Sequence, residues 1–197
     1  MIFGPTREPE NVWLVEHGLV RIHRLVPDGR EVTIALVRPG HVFGEVPVLS
    51  DSPRVSFAEA MRRSTCWRVP RETFLRVVRS DPDAGFAISK EIAGRIARIE
   101  SRLEDLSFRS VESRVARALL QLAEDFGQPA GEWVQLELPL TRAELATLVG
   151  TTRQSVSESV QGLVKRGWVA RDRGRLALRV AGLREESRPA LASDALK

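Results

Sequence analysis

The sequence predicts an α+β fold: an N-terminal antiparallel β-barrel, a long amphipathic helix and a C-terminal helix-turn-helix unit with a hairpin wing. Three observations predict it. Short apolar runs alternate with turn residues from about residue 10 to 70, apolar side chains recur every 3.5 positions after residue 82, and two short helical patterns precede a hairpin pattern near the end. The 197 residues, 43% of them hydrophobic, suffice for one large or two small cores.

The N-terminal strands are predicted from the turn signals between them. Asp28-Gly29 separates VWLVEHGLVRIHRL from VTIALV, and Pro39-Gly40 precedes VFGEVPVL. Each pair supplies a residue that tolerates a positive φ. We therefore expect a compact antiparallel barrel or sandwich, since strands at this even spacing usually close on themselves.

The long helix is predicted to start near Pro82, because proline suits a first helical turn. Its apolar seam is Ile92, Ile96, Ile99, Leu103 and Leu106, and charged residues fill the other faces. So narrow a seam packs either on its own domain or on a copy of itself. A long helix between two domains favours the copy, so we expect a parallel homodimer and keep intramolecular packing as the alternative.

The remaining elements follow in order. A helix in VESRVARALLQLAEDFG should end at Gly127, expected to be the left-handed residue past its C-terminus. A loop at 128–132 (QPAGE), a strand in WVQLEL, helices in TRAELATLVG and TRQSVSESVQGLVKRG, and a hairpin with Arg173-Gly174 at its tip complete the unit. The expected divisions are a barrel at 1–81, a dimerisation helix at 82–109, a winged helix-turn-helix at 110–183 and a disordered tail at 184–197.

Charge and cysteine content narrow the function classes. The net charge is only +4, but residues 141 to 180 carry eight basic and three acidic residues, a local charge of +5. Cys66 is the single cysteine, which excludes an internal disulfide framework and a four-thiolate iron-sulfur cluster. No apolar run approaches the roughly 18 residues of a membrane span, and MIFGPTREPE lacks an export signal. We expect a cytoplasmic protein with no membrane partner.

The two C-terminal helix patterns fit a helix-turn-helix. Ala146 is small where the helices must approach, Gly150 stands where the turn needs a positive φ, and Val156 and Leu163 supply the inward face of the second helix. Thr152 is the expected N-cap.

The start of the second helix is rich in side chains that can read DNA. Arg153 suits guanine O6 and N7, Gln154 suits adenine N6 and N7, and Glu158 can accept from cytosine N4. A recognition helix inserts this end into the major groove, with short hydroxyl side chains beside it to reach phosphates. TTRQSVSES could instead merely cap and solvate a surface helix, but the wing and the local charge favour double-stranded DNA as the partner.

At these residues the chain resembles the Crp/Fnr superfamily of bacterial transcription regulators. The resemblance rests on GREVTIALVRPGHVFGE, DPDAGF, ESRVARALLQLA and LTRAELATLVGTTRQSVSESVQGLVKRGWV. It implies a double-stranded β-helix (a jelly roll like the cyclic nucleotide-binding domain), a dimerising helix and a winged helix. Such a homodimer binds a palindromic operator beside a promoter and works with RNA polymerase, most often as an activator.

The resemblance also implies site residues. Arg153, Gln154 and Glu158 match base-reading positions, although the family commonly has arginine in place of Glu158. The expected phosphate contacts are Arg142, Thr151, Thr152, Ser155 and Ser157.

The effector pocket of the family is only partly matched. Gly44, Glu45 and Arg54 match the ribose and phosphate contacts, but Val55 replaces a small polar residue. Ile99 and Glu100 replace the pair that contacts adenine, and an unpaired Glu100 against a base would be costly. Few residues precede Val12, so early barrel strands should be short or missing. We expect a vestigial pocket with Glu45 and Arg54 as an ion pair, no cofactor, and DNA binding by the apo dimer; cyclic-nucleotide control is the alternative.

An alternative hypothesis is that the protein is an enzyme, a metal-dependent oxygenase of the cupin type, because His17, His23 and His41 lie in the barrel segment. Cupin chemistry needs a His-x-His pair, and none occurs in the chain. We therefore expect no metal and no enzyme activity. A purely structural dimer module is a third option, which leaves the basic C-terminal surface without a role.

Overall fold

The computed structural model describes residues 1–138, 140–172 and 175–187. The chain divides into two compact units, Met1–Glu100 and Ser101–Lys197. Within the described ranges, no helix is both long enough and apolar enough to cross a membrane.

The first unit is built on two antiparallel sheets. Its strands are β1 (Asn11–His17), β2 (Val20–Leu25), β3 (Glu31–Val37), β4 (Val42–Phe43), β5 (Phe57–Ala60) and β6 (Thr65–Pro70). One sheet has the order β4-β1-β6 and the other β3-β2-β5. The predicted turns are confirmed, with φ of 82° at both Gly29 and Gly40. The residues before β1 add only two isolated bridges to this fully described unit, Phe3 to Ala58 and Thr6 to Arg54.

The core of the first unit lies between the two sheets. Trp13, Val15 and Phe43 from one sheet pack with Val20 and Ile22 from the other. They are buried because side chains alternate across a strand, so that every second residue faces inward. The predicted β-rich barrel is thereby confirmed.

Two helices of the first unit were not predicted from the sequence. They are α1 (Val46–Leu49) and α2 (Arg71–Ser80). Both cover the outer face of β1, where Val12, Val48 and Phe74 form a second apolar cluster. β1 is therefore covered on both faces along its first part, whereas Glu16 and His17 at its end are exposed.

The long helix α3 (Pro82–Phe108) is confirmed. It starts where the sequence predicts, because the carboxylate of Asp81 accepts from the backbone N–H groups of Asp83 at 3.0 Å and of Ala84 at 3.1 Å.

The second unit combines helices with a small sheet. Its elements are α4 (Val111–Phe126), β7 (Gly127–Ala130), β8 (Trp133–Leu136), α5 (Arg142–Val149), α6 (Arg153–Lys165), β9 (Val169–Asp172), β10 (Arg175–Leu178) and α7 (Val180–Glu186). The sheet order is β7-β8-β10-β9. The predicted wing is confirmed by the antiparallel β9 and β10; its predicted tip, Arg173-Gly174, lies outside the described residues.

Three expectations in this unit are wrong. Gly127 is not left-handed, since its φ is −86°. Glycine suits the position for steric reasons, because a Cβ would lie 2.2 Å from Val134 Cγ1 and 2.3 Å from the Ala123 carbonyl oxygen. The expected loop at 128–132 instead contributes most of β7, which pairs with β8. Residues 184–186, expected in a disordered tail, instead belong to α7, which continues to Glu186 and buries Leu183 completely; residues 188–197 lie outside the described part.

The core of the second unit holds the two helix-turn-helix helices against α4. Leu119, Leu145, Val156 and Leu163 are all 1% exposed or less. At the end of α3, Asp105 accepts from the side chains of Arg109 at 2.7 Å and Arg117 at 2.8 Å. This buried carboxylate ties the last turns of α3 to the start of α4.

Candidate nucleic-acid interface

The turn before α6 is built as the sequence predicts. Gly150 has φ 73° and ψ 47°, and its N–H donates to the Ala146 carbonyl at 2.9 Å. Only a residue without a Cβ adopts this left-handed conformation at little cost. Ala146 is 5% exposed, so its small side chain lets α5 and α6 pack closely.

The start of α6 is fixed by Thr152. Its hydroxyl accepts from the Ser155 backbone N–H at 3.1 Å, which confirms the predicted N-cap. The same oxygen lies 2.9 Å from the Ser155 hydroxyl. One hydroxyl proton of this pair serves the mutual bond, and the other stays available for an acceptor such as phosphate.

Two faces of α6 have opposite character. Val156, Ser159, Val160 and Leu163 are buried. On the opposite face Arg153, Gln154 and Glu158 are exposed, and Gln154 Nε2 donates to Glu158 Oε1 at 3.0 Å. The three predicted base readers are thus brought together at the leading end of one helix.

The predicted phosphate contacts surround these readers. Thr151 and Ser155 are half-buried beside the exposed Thr152. Ser157 Oγ donates to the Arg153 carbonyl at 2.9 Å, so it must leave that bond before it can donate to a phosphate. Their role as phosphate ligands stays a prediction.

Arg142 is half-buried at the first position of α5. Burial lowers the pKa of its guanidinium, and the positive charge of Arg171 on β9 lowers it further. Two cations that repel each other in this way form a favourable place for an anion. In the sequence Arg171 contributes only to the local charge, because its nearness to Arg142 depends on how the wing folds back.

Not all of the local positive charge is free for a partner. Arg166 pairs with Glu112, and Arg179 pairs with Glu132 at 2.9 Å. Both glutamates lie outside the basic segment, so the sequence count could not show this neutralisation. The cations that make no ion pair with a described side chain are Arg142, Arg153, Lys165, Arg171 and Arg175.

The residues of the expected effector pocket lie in the first unit. Glu45 is 1% exposed, but its partner is Arg95 of α3, with Oε1 2.7 Å from Nη1. The expected ion pair between Glu45 and Arg54 is therefore wrong. Arg54 Nη2 instead donates to the carbonyls of Asn11 at 2.8 Å and Gly44 at 3.0 Å.

Aromatic rings cover the Arg54 guanidinium. Its central carbon lies 4.1 Å from the ring centre of Phe3 and 4.8 Å from that of Trp13, within cation–π range. Val55, Ile99 and Glu100 are exposed. The role of Arg95 was missed because it was grouped with the charged residues of the other faces, although it lies three residues after Ile92 and four before Ile99 and so flanks the seam.

The residues of the expected effector pocket are bonded within the chain. Arg54, the expected phosphate contact, is engaged by two carbonyls and two rings, and one oxygen of Glu45 is held by Arg95. Ile99, at a position expected to face adenine, offers no hydrogen-bonding group. Two buried atoms, Glu45 Oε2 and Arg54 Nε, have no hydrogen-bond partner among the described residues.

The barrel histidines do not converge. His17 is exposed, His23 is buried and stacks on Phe57 with ring centres 5.3 Å apart, and His41 Nδ1 lies 3.3 Å from Glu91 Oε1. Across the described residues no group of three or more His, Cys, Asp or Glu side chains is placed to hold a metal ion.

The chain is similar to known proteins along most of its length. Residues 1–81 match the cyclic nucleotide-binding domain family, and residues 113–186 match the Crp-like helix-turn-helix domain family. The "Cyclic AMP receptor protein" of Thermus thermophilus is 34% identical over 175 residues, 89% of this chain and 78% of that protein. The "CRP-like cAMP-activated global transcriptional regulator" of Mycobacterium tuberculosis is 30% identical over 168 residues, 85% of this chain and 75% of the relative.

A solved structure shares the architecture. A transcriptional regulator of the CRP/FNR family from Thermus thermophilus superposes with a TM-score of 0.77 at 27% identity, covering 95% of this chain and 93% of its own.

Proposed function

Because the chain belongs to the Crp/Fnr family of DNA-binding transcription regulators, we propose that it binds a palindromic operator as a homodimer and needs no small-molecule effector. The observation that carries the proposal is the exposed trio of Arg153, Gln154 and Glu158 at the capped end of α6. Cations without an ion pair to a described side chain lie on α5 and the wing, where a phosphate backbone would run beside an inserted helix.

The homodimer is supported by the seam on α3. Ile96, Leu103 and Leu106 are each at least 50% exposed, and Ile99 is 36% exposed. Apolar side chains at a 3.5-residue repeat on a charged helix are typical of a coiled-coil contact. A two-fold dimer presents its recognition helices about 34 Å apart, one turn of DNA, which requires a near-palindrome.

Effector independence is supported by the hydrogen bonds that Arg54 already makes to the carbonyls of Asn11 and Gly44. An incoming cyclic phosphate must displace two backbone carbonyls and enter between the guanidinium and the covering rings. Leaving those carbonyls buried and unpaired costs about 1–3 kcal/mol each. The proposal includes activation through RNA polymerase, for which the family is the only support.

One observation favours a second candidate, cyclic-nucleotide-dependent regulation. Glu45 Oε2 is a buried acceptor without a described partner, and a ribose hydroxyl could donate to it. The two relatives described above carry cyclic AMP in their names. This candidate requires that the carbonyls of Asn11 and Gly44 release Arg54.

The test is selection of bound fragments from random duplex DNA by the purified chain, followed by titration of the selected site. Arg153→Ala should cost about 1–3 kcal/mol and relax the preference at one position, because a bidentate base contact is lost. Arg142→Ala should weaken binding to every sequence and lower the salt slope by about 1, because a phosphate contact is lost.

Two outcomes would contradict the proposal. If both variants act alike on specific and random DNA, the separation into base and phosphate contacts is wrong. If the operator is bound only after cyclic AMP is added, the second candidate replaces effector independence.

A further inference from the structure

Residues 1–6 run beside β5 and the residues that precede it, and we call this segment the strap. The sheet order β3-β2-β5 places β5 at an edge. Across this edge the Ala58 N–H donates to the Phe3 carbonyl at 3.0 Å. The backbones of Thr6 and Arg54 exchange two further hydrogen bonds, at 3.0 and 2.8 Å. Two isolated bridges therefore hold the strap in place.

The strap carries one aromatic ring into the barrel. Phe3 lies against Trp13 with ring centres 4.7 Å apart and against Phe43 at 5.9 Å. The guanidinium carbon of Arg54 is 4.1 Å from the centre of the Phe3 ring. Trp13 and Phe43 belong to β1 and β4, whereas Phe3 comes from outside the strands. The cover over Arg54 thus includes a ring that is fastened less firmly than the sheets.

The guanidinium under this ring has the chemistry of an anion-binding group. Arg54 is 5% exposed, and its Nη2 atom donates to two backbone carbonyls. Its Nε–H, also buried, has no hydrogen-bond partner among the described residues. Arginine holds phosphate through charge-assisted hydrogen bonds from such donors. An anion that reached Arg54 would therefore find a buried positive charge and an unused donor.

We infer that the strap closes an anion-binding site at Arg54, and that its release admits a phosphate-type anion to the guanidinium. In the closed state the Phe3 ring covers the guanidinium, and an apolar ring offers nothing to replace the water that a buried anion loses. Release requires less than unfolding the barrel, because a few backbone bonds and one half-buried ring hold the strap. The inference deepens the effector independence proposed above and rests on the first unit alone.

The test measures how fast phenylglyoxal, a reagent for guanidinium groups, modifies Arg54 in the full chain, with mass spectrometry of the digested protein as the readout. The exposed Arg7 is the internal reference for reagent activity. Arg95, whose side chain is 15% exposed in its ion pair with Glu45, reports whether the barrel stays folded. In the wild type we expect Arg54 to react far more slowly than Arg7.

Two variants at Thr6 form a matched pair, because its side chain is exposed. Thr6→Pro removes the N–H that donates to the Arg54 carbonyl, whereas Thr6→Ala keeps it. The loss of one hydrogen bond should raise the Arg54 rate about two- to tenfold in Thr6→Pro, with no change in Thr6→Ala.

Phe3→Ala removes the ring and leaves both backbone bridges. We expect the Arg54 rate to rise about tenfold or more, because loss of a packed ring outweighs loss of one hydrogen bond. Phe126→Ala is the matched control, since it truncates a half-buried phenylalanine of the second unit. Inorganic phosphate should slow the Arg54 reaction in Phe3→Ala and Thr6→Pro, whereas sodium chloride at equal ionic strength should not.

Four outcomes would overturn the inference. They are equal Arg54 rates in the wild type and both strap variants, equal protection by phosphate in the wild type, faster Arg54 reaction without protection by phosphate, and a parallel rise at Arg95. The last outcome would mean that the barrel itself had opened. The experiment contains no DNA, so its failure leaves the proposed operator binding standing.

Discussion

Glu45 offers the sharpest test of how the first unit is held together. It is 1% exposed, and Arg95 is the cation 2.7 Å from it. Arg95→Ala should destabilise the unit, because it leaves a carboxylate in the interior without its counter-charge. Removing one partner of a buried ion pair costs about 3–5 kcal/mol. Because the Arg95 side chain is 15% exposed, we expect a loss near the lower end, about 3 kcal/mol.

Replacing Glu45 instead of Arg95 should lower the unfolding free energy by a smaller amount. Glu45→Gln leaves no unpaired carboxylate in the interior, and Arg95 keeps the Val42 carbonyl at 3.1 Å and Glu91 at 3.4 Å. We expect a loss of about 1.5 kcal/mol, the lower end of the value of one charge-assisted hydrogen bond, because the amide oxygen of Gln can still accept from Arg95. Combining Glu45→Gln with Arg95→Ala should then cost less than the sum of the two, by about 1–2 kcal/mol.

The pH dependence of the unfolding free energy tests the same ion pair independently. Burial raises the pKa of Glu45, and the charge of Arg95 pulls it back, so Arg95→Ala should raise this pKa further. A carboxyl with a raised pKa binds its proton more readily in the folded state. The variant therefore regains stability as the pH falls from neutral toward 4.5, the ordinary value for Glu.

Urea unfolding at neutral and mildly acidic pH measures these free energies for the wild type, Arg95→Ala, Glu45→Gln and the double variant. Arg54→Ala is the comparison variant, since Arg54 bonds to carbonyls and the charge of Glu45 acts on it without a hydrogen bond. The reasoning is refuted if Glu45→Gln rescues Arg54→Ala better than it rescues Arg95→Ala, or if the loss in Arg95→Ala is the same at both pH values.

Further predictions concern the DNA-binding unit and the seam. Gly150→Ala should lower the unfolding free energy by about 1 kcal/mol, because the backbone at this position has a φ of 73°. Gly94→Ala should raise the unfolding free energy by up to about 1 kcal/mol, because a Cβ added there, inside α3, would meet open space. Melting-temperature shifts of the same sign would contradict this. Leu103 is 60% exposed on the seam, so Leu103→Glu should convert the dimer to monomers in analytical sedimentation. Arg98→Glu, which lies off the seam, should leave the dimer intact. A dimer that survives Leu103→Glu would place the interface elsewhere. Thr152→Ala should cost about 1 kcal/mol and weaken operator binding, and unchanged thermal unfolding would refute the cap.

The helix-turn-helix could be predicted because its signals are local. Thr152 caps the helix that follows it directly, and Gly150 adopts the conformation that its lack of a Cβ allows. The inward face of α6 follows from a 3.6-residue period within one element. None of these features depends on a distant residue, so sequence spacing was sufficient.

The expectations that proved wrong depend on distant contacts. Glu45 and Arg95 are 50 positions apart, and spacing cannot show which arginine reaches a buried carboxylate. Gly127 was assigned by a local rule for helix ends, yet the steric demand at this position comes partly from Val134 on β8. The free charge of the basic segment was likewise set by glutamates outside it.

The central claim is that the apo chain reads base edges through α6. The direct measurement is a titration of the purified chain, without any small molecule, against its selected palindrome and a scrambled duplex of equal length and composition at moderate salt. The account predicts binding to the palindrome about 10³-fold tighter or more. Equal affinity for the two duplexes, or discrimination only after a cyclic nucleotide is added, would contradict it.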